Sequence, residues 1–97
     1  IKNIPTEFHL YENYPNPFNP STTIEYALPK ESMVELVIYD LMGREVAKII
    51  NETQNPGYKS IVWKGVNNSN NKVSTGIYFY QLRTHDFVKT RKMVFLK

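Results

Sequence analysis

Apolar and polar residues alternate along most of this 97-residue chain, and a period of two marks β-strands with one face buried. Thr22, Ile24, Tyr26 and Leu28 share one face, against Thr23, Glu25 and Ala27 on the other. Val34, Leu36 and Ile38 alternate with Glu35, Val37 and Tyr39 in the clearest strand of the sequence. Residues 45–50 form another strand, whose inward face the pattern leaves ambiguous. Residues 57–64 set Ile61 and Trp63 on one side and Tyr58, Ser60 and Val62 on the other, which makes Trp63 a core anchor. The strongly β-forming run 77–83 and a last strand over 87–96, its inward face again open, are expected to form a hairpin. A short apolar segment over residues 8–14 comes before all of these.

Turn chemistry separates the strands. Pro29-Lys30-Glu31-Ser32 reads as a turn, and Asp40-Leu41-Met42-Gly43-Arg44 as a hairpin turn in which Gly43 takes a positive φ. Residues 51–57 end in Pro56-Gly57 and predict a connection. Residues 65–72 hold four asparagines and almost nothing to bury, which predicts an exposed, mobile loop. Thr84-His85-Asp86 turns the chain into its last strand. Seven strands at spacings of about ten residues, with no 3.6-residue period, predict an all-β fold: a seven-stranded antiparallel Ig-like β-sandwich in a single domain over residues 1–97. The chain starts at Ile1 with no leader pattern, so it is expected to be a piece of a longer protein, with residues 1–7 as a remnant of the linker.

Tyr14-Pro15-Asn16-Pro17-Phe18-Asn19-Pro20 interrupts the alternation and holds three of the six prolines. Each proline fixes its own φ and pushes the preceding residue out of the helical region. Asn16 and Asn19 add side-chain acceptors suited to Asx-turns. With no glycine, the segment is a rigid connector that stiffens the passage from the first strand into the second.

Composition narrows the functional classes. Cysteine is absent, so thiol chemistry and disulfide staples are excluded. Net charge is +3, with Arg83, Lys89, Arg91, Lys92 and Lys97 gathered near the C-terminus in a strand-like pattern. Edge-strand lysines resist sheet-to-sheet association, and this arrangement does not predict nucleic-acid binding. No apolar run reaches the roughly 18 residues of a membrane span. His9 and His85 stand far apart, without metal-ligand spacing. The nine acidic residues are scattered singly, and no phosphate loop or nucleophile motif occurs. The reading is a non-enzyme with no cofactor and no metal. Exposed aromatics such as Tyr58, Tyr39 or Phe79 are read as packing residues before sugar-binding ones. The oligomeric state is left open.

Four segments in order carry a further signal: Asn13-Tyr14-Pro15-Asn16-Pro17-Phe18-Asn19-Pro20-Ser21-Thr22-Thr23-Ile24, Val37-Ile38-Tyr39-Asp40-Leu41-Met42-Gly43-Arg44-Glu45-Val46, Ser74-Thr75-Gly76-Ile77-Tyr78-Phe79-Tyr80-Gln81-Leu82, and Lys92-Met93-Val94-Phe95-Leu96-Lys97. As a set they resemble the type A C-terminal sorting domain of the type IX secretion system of Gram-negative bacteria. Similar sandwiches occur as Ig-like domains of the flagellar hook-capping type. They also occur as accessory modules retained on secreted polysaccharide-degrading enzymes, the alternative reading.

The resemblance implies a non-catalytic address label that passes through the periplasm to the cell surface or beyond. Its implied partners are the outer-membrane translocon, shuttle proteins and a sortase-like peptidase that removes the domain; the catalysis belongs to that peptidase. Carried over by position, recognition would fall on Gly43, Arg44, Gly76, Tyr78, Lys92 and Lys97. Gly43 and Gly76 equally serve backbone freedom at turns. Arg44 equally serves a hairpin salt bridge, and the last strand is expected to offer an accessible edge for β-augmentation.

Overall fold

The computed structural model describes residues 3–96; Lys97, singled out above, lies outside them. Seven strands follow one another: β1 (His9–Leu10), β2 (Thr22–Leu28), β3 (Ser32–Asp40), β4 (Glu45–Gln54), β5 (Gly57–Trp63), β6 (Gly76–Arg83) and β7 (Val88–Phe95). They form two antiparallel sheets, β1-β2-β5 and β4-β3-β6-β7, packed face to face. The fold is the expected all-β, seven-stranded Ig-like sandwich.

The alternation places the core. Ile24, Tyr26 and Leu28 from β2 meet Val34, Leu36 and Ile38 from β3 and Tyr78, Tyr80 and Leu82 from β6, all buried. β4 departs from strict alternation, because its pairing with β3 shifts register between Leu36 and Val37 and again between Ile38 and Tyr39. Each bulge turns the following residues over, so Ala47 and Ile50 both face inward although three positions apart. On β7, Met93 and Phe95 point into the core.

Three expectations need correction. The first strand is shorter than residues 8–14, since only His9–Leu10 pairs in register with β2. β4 runs on through residues 51–54, where a turn was expected: Glu35 pairs with Asn51 and Ser32 with Gln54. That stretch is polar because its side chains are largely exposed, so it offers no apolar signal. The loop over 65–72 is exposed from Asn68 onward but starts at a buried Gly65, and its own amides organise it. Asn67 Oδ1 accepts from the N–H groups of Ser69 at 2.9 Å and Asn71 at 3.0 Å. Asn68 docks on β4, donating from its N–H to the Val46 carbonyl at 3.1 Å and accepting from the Lys48 N–H at 2.9 Å.

The proline segment is part of the core as well as a connector. The peptide bonds preceding Pro15, Pro17 and Pro20 are cis. Tyr14 exchanges backbone hydrogen bonds with Thr23, and Phe18 is almost fully buried. Its ring stacks on Phe95 at 4.9 Å and tilts against Trp63 at 5.8 Å, while Trp63 meets Tyr78 edge-on at 5.6 Å. Trp63 Nε1 donates to the Val66 carbonyl at 2.9 Å, so the core anchor satisfies its one polar atom on the asparagine loop. Gly65 closes this end: a Cβ there would stand 3.0 Å from the Phe95 ring and 3.3 Å from the Pro20 carbonyl.

Candidate functional site

The hairpin joining β3 to β4 is built by Asp40. Its carboxylate accepts from the N–H groups of Met42 and Arg44, each at 2.9 Å, and from Arg44 Nε at 2.8 Å. Its carbonyl accepts from the Gly43 N–H at 2.9 Å, and Gly43 sits at φ +82°. The Arg44 backbone N–H, with further help from its guanidinium, holds the Asp40 carboxyl below its ordinary value, against a weaker opposing effect of desolvation. With its polar groups used internally, the turn presents Leu41 and Met42 to solvent, 65% and 77% exposed.

The entry to β6 lies beside that turn. Gly76 has φ +146° and open space where a Cβ would stand. Tyr78 inserts its ring into the core and donates from its hydroxyl to the Ser74 carbonyl at 2.6 Å, fixing the segment that leads into the strand. Between the turn, the asparagine loop and this segment runs a groove of about 680 Å³. Leu41, Met42, Arg44, Val73, Ile77 and Tyr78 supply its main side chains, and Gly76 contributes to its wall. Its lining is mixed: the apolar side chains share it with Arg44, with the carboxylates of Asp40 and Glu45, and with the polar side chains of the asparagine loop and of Ser74 and Thr75.

The structure therefore brings Arg44, Gly76 and Tyr78 to one groove, with Gly43 inside the turn that forms its lip. It does not bring Lys92 there. Lys92 stands on the outer face of the larger sheet, cross-strand from Phe79, which in turn pairs with Tyr39. Tyr58 projects from the other sheet, so Tyr58, Tyr39 and Phe79 do not make one platform. The structural-signature residues lie elsewhere, Phe18 and Trp63 in the core, Tyr14 paired with Thr23 of β2, and Asn16 bonded to Val94 of β7. Asp40, Leu41 and Met42 were not singled out from the sequence as site residues. The available signal was two large apolar residues at the tip of a hairpin, where polar ones are usual.

The expected free edge at the end of the chain is corrected. Val94 and Leu96 direct their backbone groups to the proline segment: the Phe18 N–H donates to the Val94 carbonyl and the Leu96 N–H to the Phe18 carbonyl, both at 3.0 Å. Asn16 Oδ1 accepts from the Val94 N–H. What stays open on β7 is its first half, Val88, Thr90 and Lys92, whose outward groups follow from the alternation of the ladder.

Among the described residues, no group of three or more His, Cys, Asp or Glu side chains is placed to hold a metal ion. His9 packs its ring against Tyr11 at 4.2 Å. No helix is long and apolar enough to cross a membrane.

These features define an Ig-like β-sandwich that carries an exposed apolar turn beside an open groove. The FlgD Ig-like domain family matches residues 19–86, more than half of the chain, and the chain belongs to that family. No curated protein matches it. Among solved structures, the chain is similar to part of PorZ from Porphyromonas gingivalis, described as an essential bacterial surface component of the type IX secretion system. That likeness has a TM-score of 0.62 at 18% identity and covers 93% of this chain but 11% of PorZ, so it is a likeness of fold to one small part of a much longer protein.

Proposed function

We propose that this domain is a non-catalytic sorting signal of the type IX secretion system, bound by the outer-membrane translocon and its shuttle proteins and then removed by a sortase-like peptidase. On this reading it travels through the periplasm to the cell surface. The observation that carries it is the convergence of the Asp40–Arg44 turn and the Gly76 entry on one groove, with Leu41 and Met42 held in solvent beside Arg44. Exposed apolar side chains clustered on a rigid turn mark an interaction surface, and Arg44, whose Nε is held by Asp40, keeps its two terminal guanidinium nitrogens for a partner's carboxylate. The four ordered sequence segments and the occurrence of this fold within PorZ support the choice of machinery.

The test is fractionation of cells carrying a reporter fused in front of the domain, with the translocon intact and deleted. The expected result is surface display in the intact strain and periplasmic retention in the deletion strain. Equal display in both strains rejects the proposal. Within the intact strain, Leu41→Ser combined with Met42→Ser is expected to hold the reporter in the periplasm while the purified domain keeps its melting temperature.

A further inference from the structure

The sandwich treats its sheet edges unequally. Each edge strand of the larger sheet is capped at one point by an asparagine side chain: Asn16 Oδ1 takes the Val94 N–H of β7, whose first half stays open, and Asn68 Oδ1 takes the Lys48 N–H of β4. The outer edge of β5 carries no such cap. Thr23 exchanges its hydrogen bonds with Tyr14, and the Glu25 carbonyl accepts from Tyr11. The alternate residues of β2 therefore face β5, and the ladder runs through Thr22 with Trp63, Ile24 with Ile61, Tyr26 with Lys59 and Leu28 with Gly57. Tyr58, Ser60 and Val62 direct their N–H and C=O groups the other way, and no described residue bonds to them. Their side chains stand on the outer face, Tyr58 61% and Val62 51% exposed.

We propose that this edge pairs with the same edge of a second copy, antiparallel and centred on Ser60, joining the two three-stranded sheets into one continuous sheet. Charge selects the partner and the register. Centred on Ser60, Tyr58 of each copy lies opposite Val62 of the other, an aromatic against a β-branched residue, and Lys59 lies opposite Ile61. A register shifted towards Tyr58 sets Lys59 directly against its own copy, two like charges in contact. A shift the other way leaves Gly57 and Tyr58 beyond the end of the partner strand. Lys59 also has a complementary charge to meet: it lines an opening of about 380 Å³ between β4 and β5 together with Glu52. Glu52 accepts from Gln54 and takes part in none of the ion pairs among the described residues. The stem of Lys59 from each copy covers Ile61 of the other, with its ammonium group in that opening.

Ser60 is the one residue that meets itself in this register, which gives a direct test. Sedimentation equilibrium on the whole chain is expected to show a concentration-dependent rise to twice the monomer mass. Ser60→Lys and Ser60→Glu, studied separately, each weaken self-association roughly fivefold by opposing like charges, and an equimolar mixture of the two restores it. Ser60→Pro, which removes an outward N–H that the fold does not use, abolishes it with little change in melting temperature. A chain that stays monomeric up to millimolar concentration overturns the proposal. So does equal dimerisation of both charge variants, or a mixture no tighter than either alone. Because Ser60 is exposed, the charge variants keep the test available should the proline variant not fold.

Discussion

Asn16 Oδ1 accepts a hydrogen bond from the Val94 N–H at 3.0 Å, joining two residues 78 positions apart. It lets a side chain do what a neighbouring strand would do, at the point where Phe18 enters the core beside Phe95. Phe18→Ala is expected to destabilise the domain by about 3–5 kcal/mol, because it empties a buried aromatic site. Asn16→Ala is expected to cost about 1 kcal/mol, since water replaces the lost acceptor at an open edge. Urea denaturation of the two variants checks both values, and equal losses would contradict the assignment of Phe18 to the core.

Gly65 occupies a place no side chain fits. At φ +70° it is in the left-handed region, and an added Cβ meets both a ring and a backbone carbonyl. Gly65→Ala should lower stability by about 1–3 kcal/mol. Gly76→Ala, with open space around it, should cost only the backbone strain, about 1 kcal/mol. Melting temperatures of the pair would show the difference.

Removing residues 92–97 takes Met93 and Phe95 out of the core. The truncated domain is expected to lose its near-ultraviolet circular dichroism, the signature of fixed aromatic packing. Loss of export after such a truncation would therefore report unfolding, and the Leu41 and Met42 substitutions are the better probe of recognition.

Tyr80 is fully buried and donates from its hydroxyl to the Tyr11 carbonyl at 2.7 Å. Burial pushes its pKa up to about 12, and Tyr26 is raised for the same reason. An unfolded tyrosine ionises near 10, so the unfolded chain releases these protons first. The stability associated with neutral Tyr80 is thus fully present below about pH 10 and is lost as pH rises towards about 12. Tyr80→Phe should flatten that alkaline decline while costing about 1 kcal/mol at neutral pH through the lost hydrogen bond. Chemical denaturation at a series of pH values from 7 upwards would follow both effects.

Most of the fold was legible in alternation, as β2 and β5 show almost residue for residue, and in β-forming composition, as β6 shows. The misses have physical causes. Two bulges opposite β3 scrambled the inward face of β4, and residues 51–54 pair through their backbones without burying side chains. The asparagine loop hid its order because its amides replace packing with hydrogen bonds. At the candidate site, Gly43, Arg44, Gly76 and Tyr78 stood out by position in the four segments. Leu41 and Met42 did not: two large apolar residues at a hairpin tip are unusual enough to be a signal, but the linear pattern does not say whether that tip faces solvent or folds back on the sheet. The closed end of β7 was illegible for a related reason, since the bond from Val94 to Asn16 joins distant parts of the chain.

The stacking of Phe18 on Phe95 also has a bearing on synthesis. A chain emerging from the ribosome carries the proline segment early and the last strand late, so the aromatic slot at this end stays unfilled until residue 95 is free. A polypeptide cut short anywhere upstream would display an incomplete sandwich with its aromatic interior open to water.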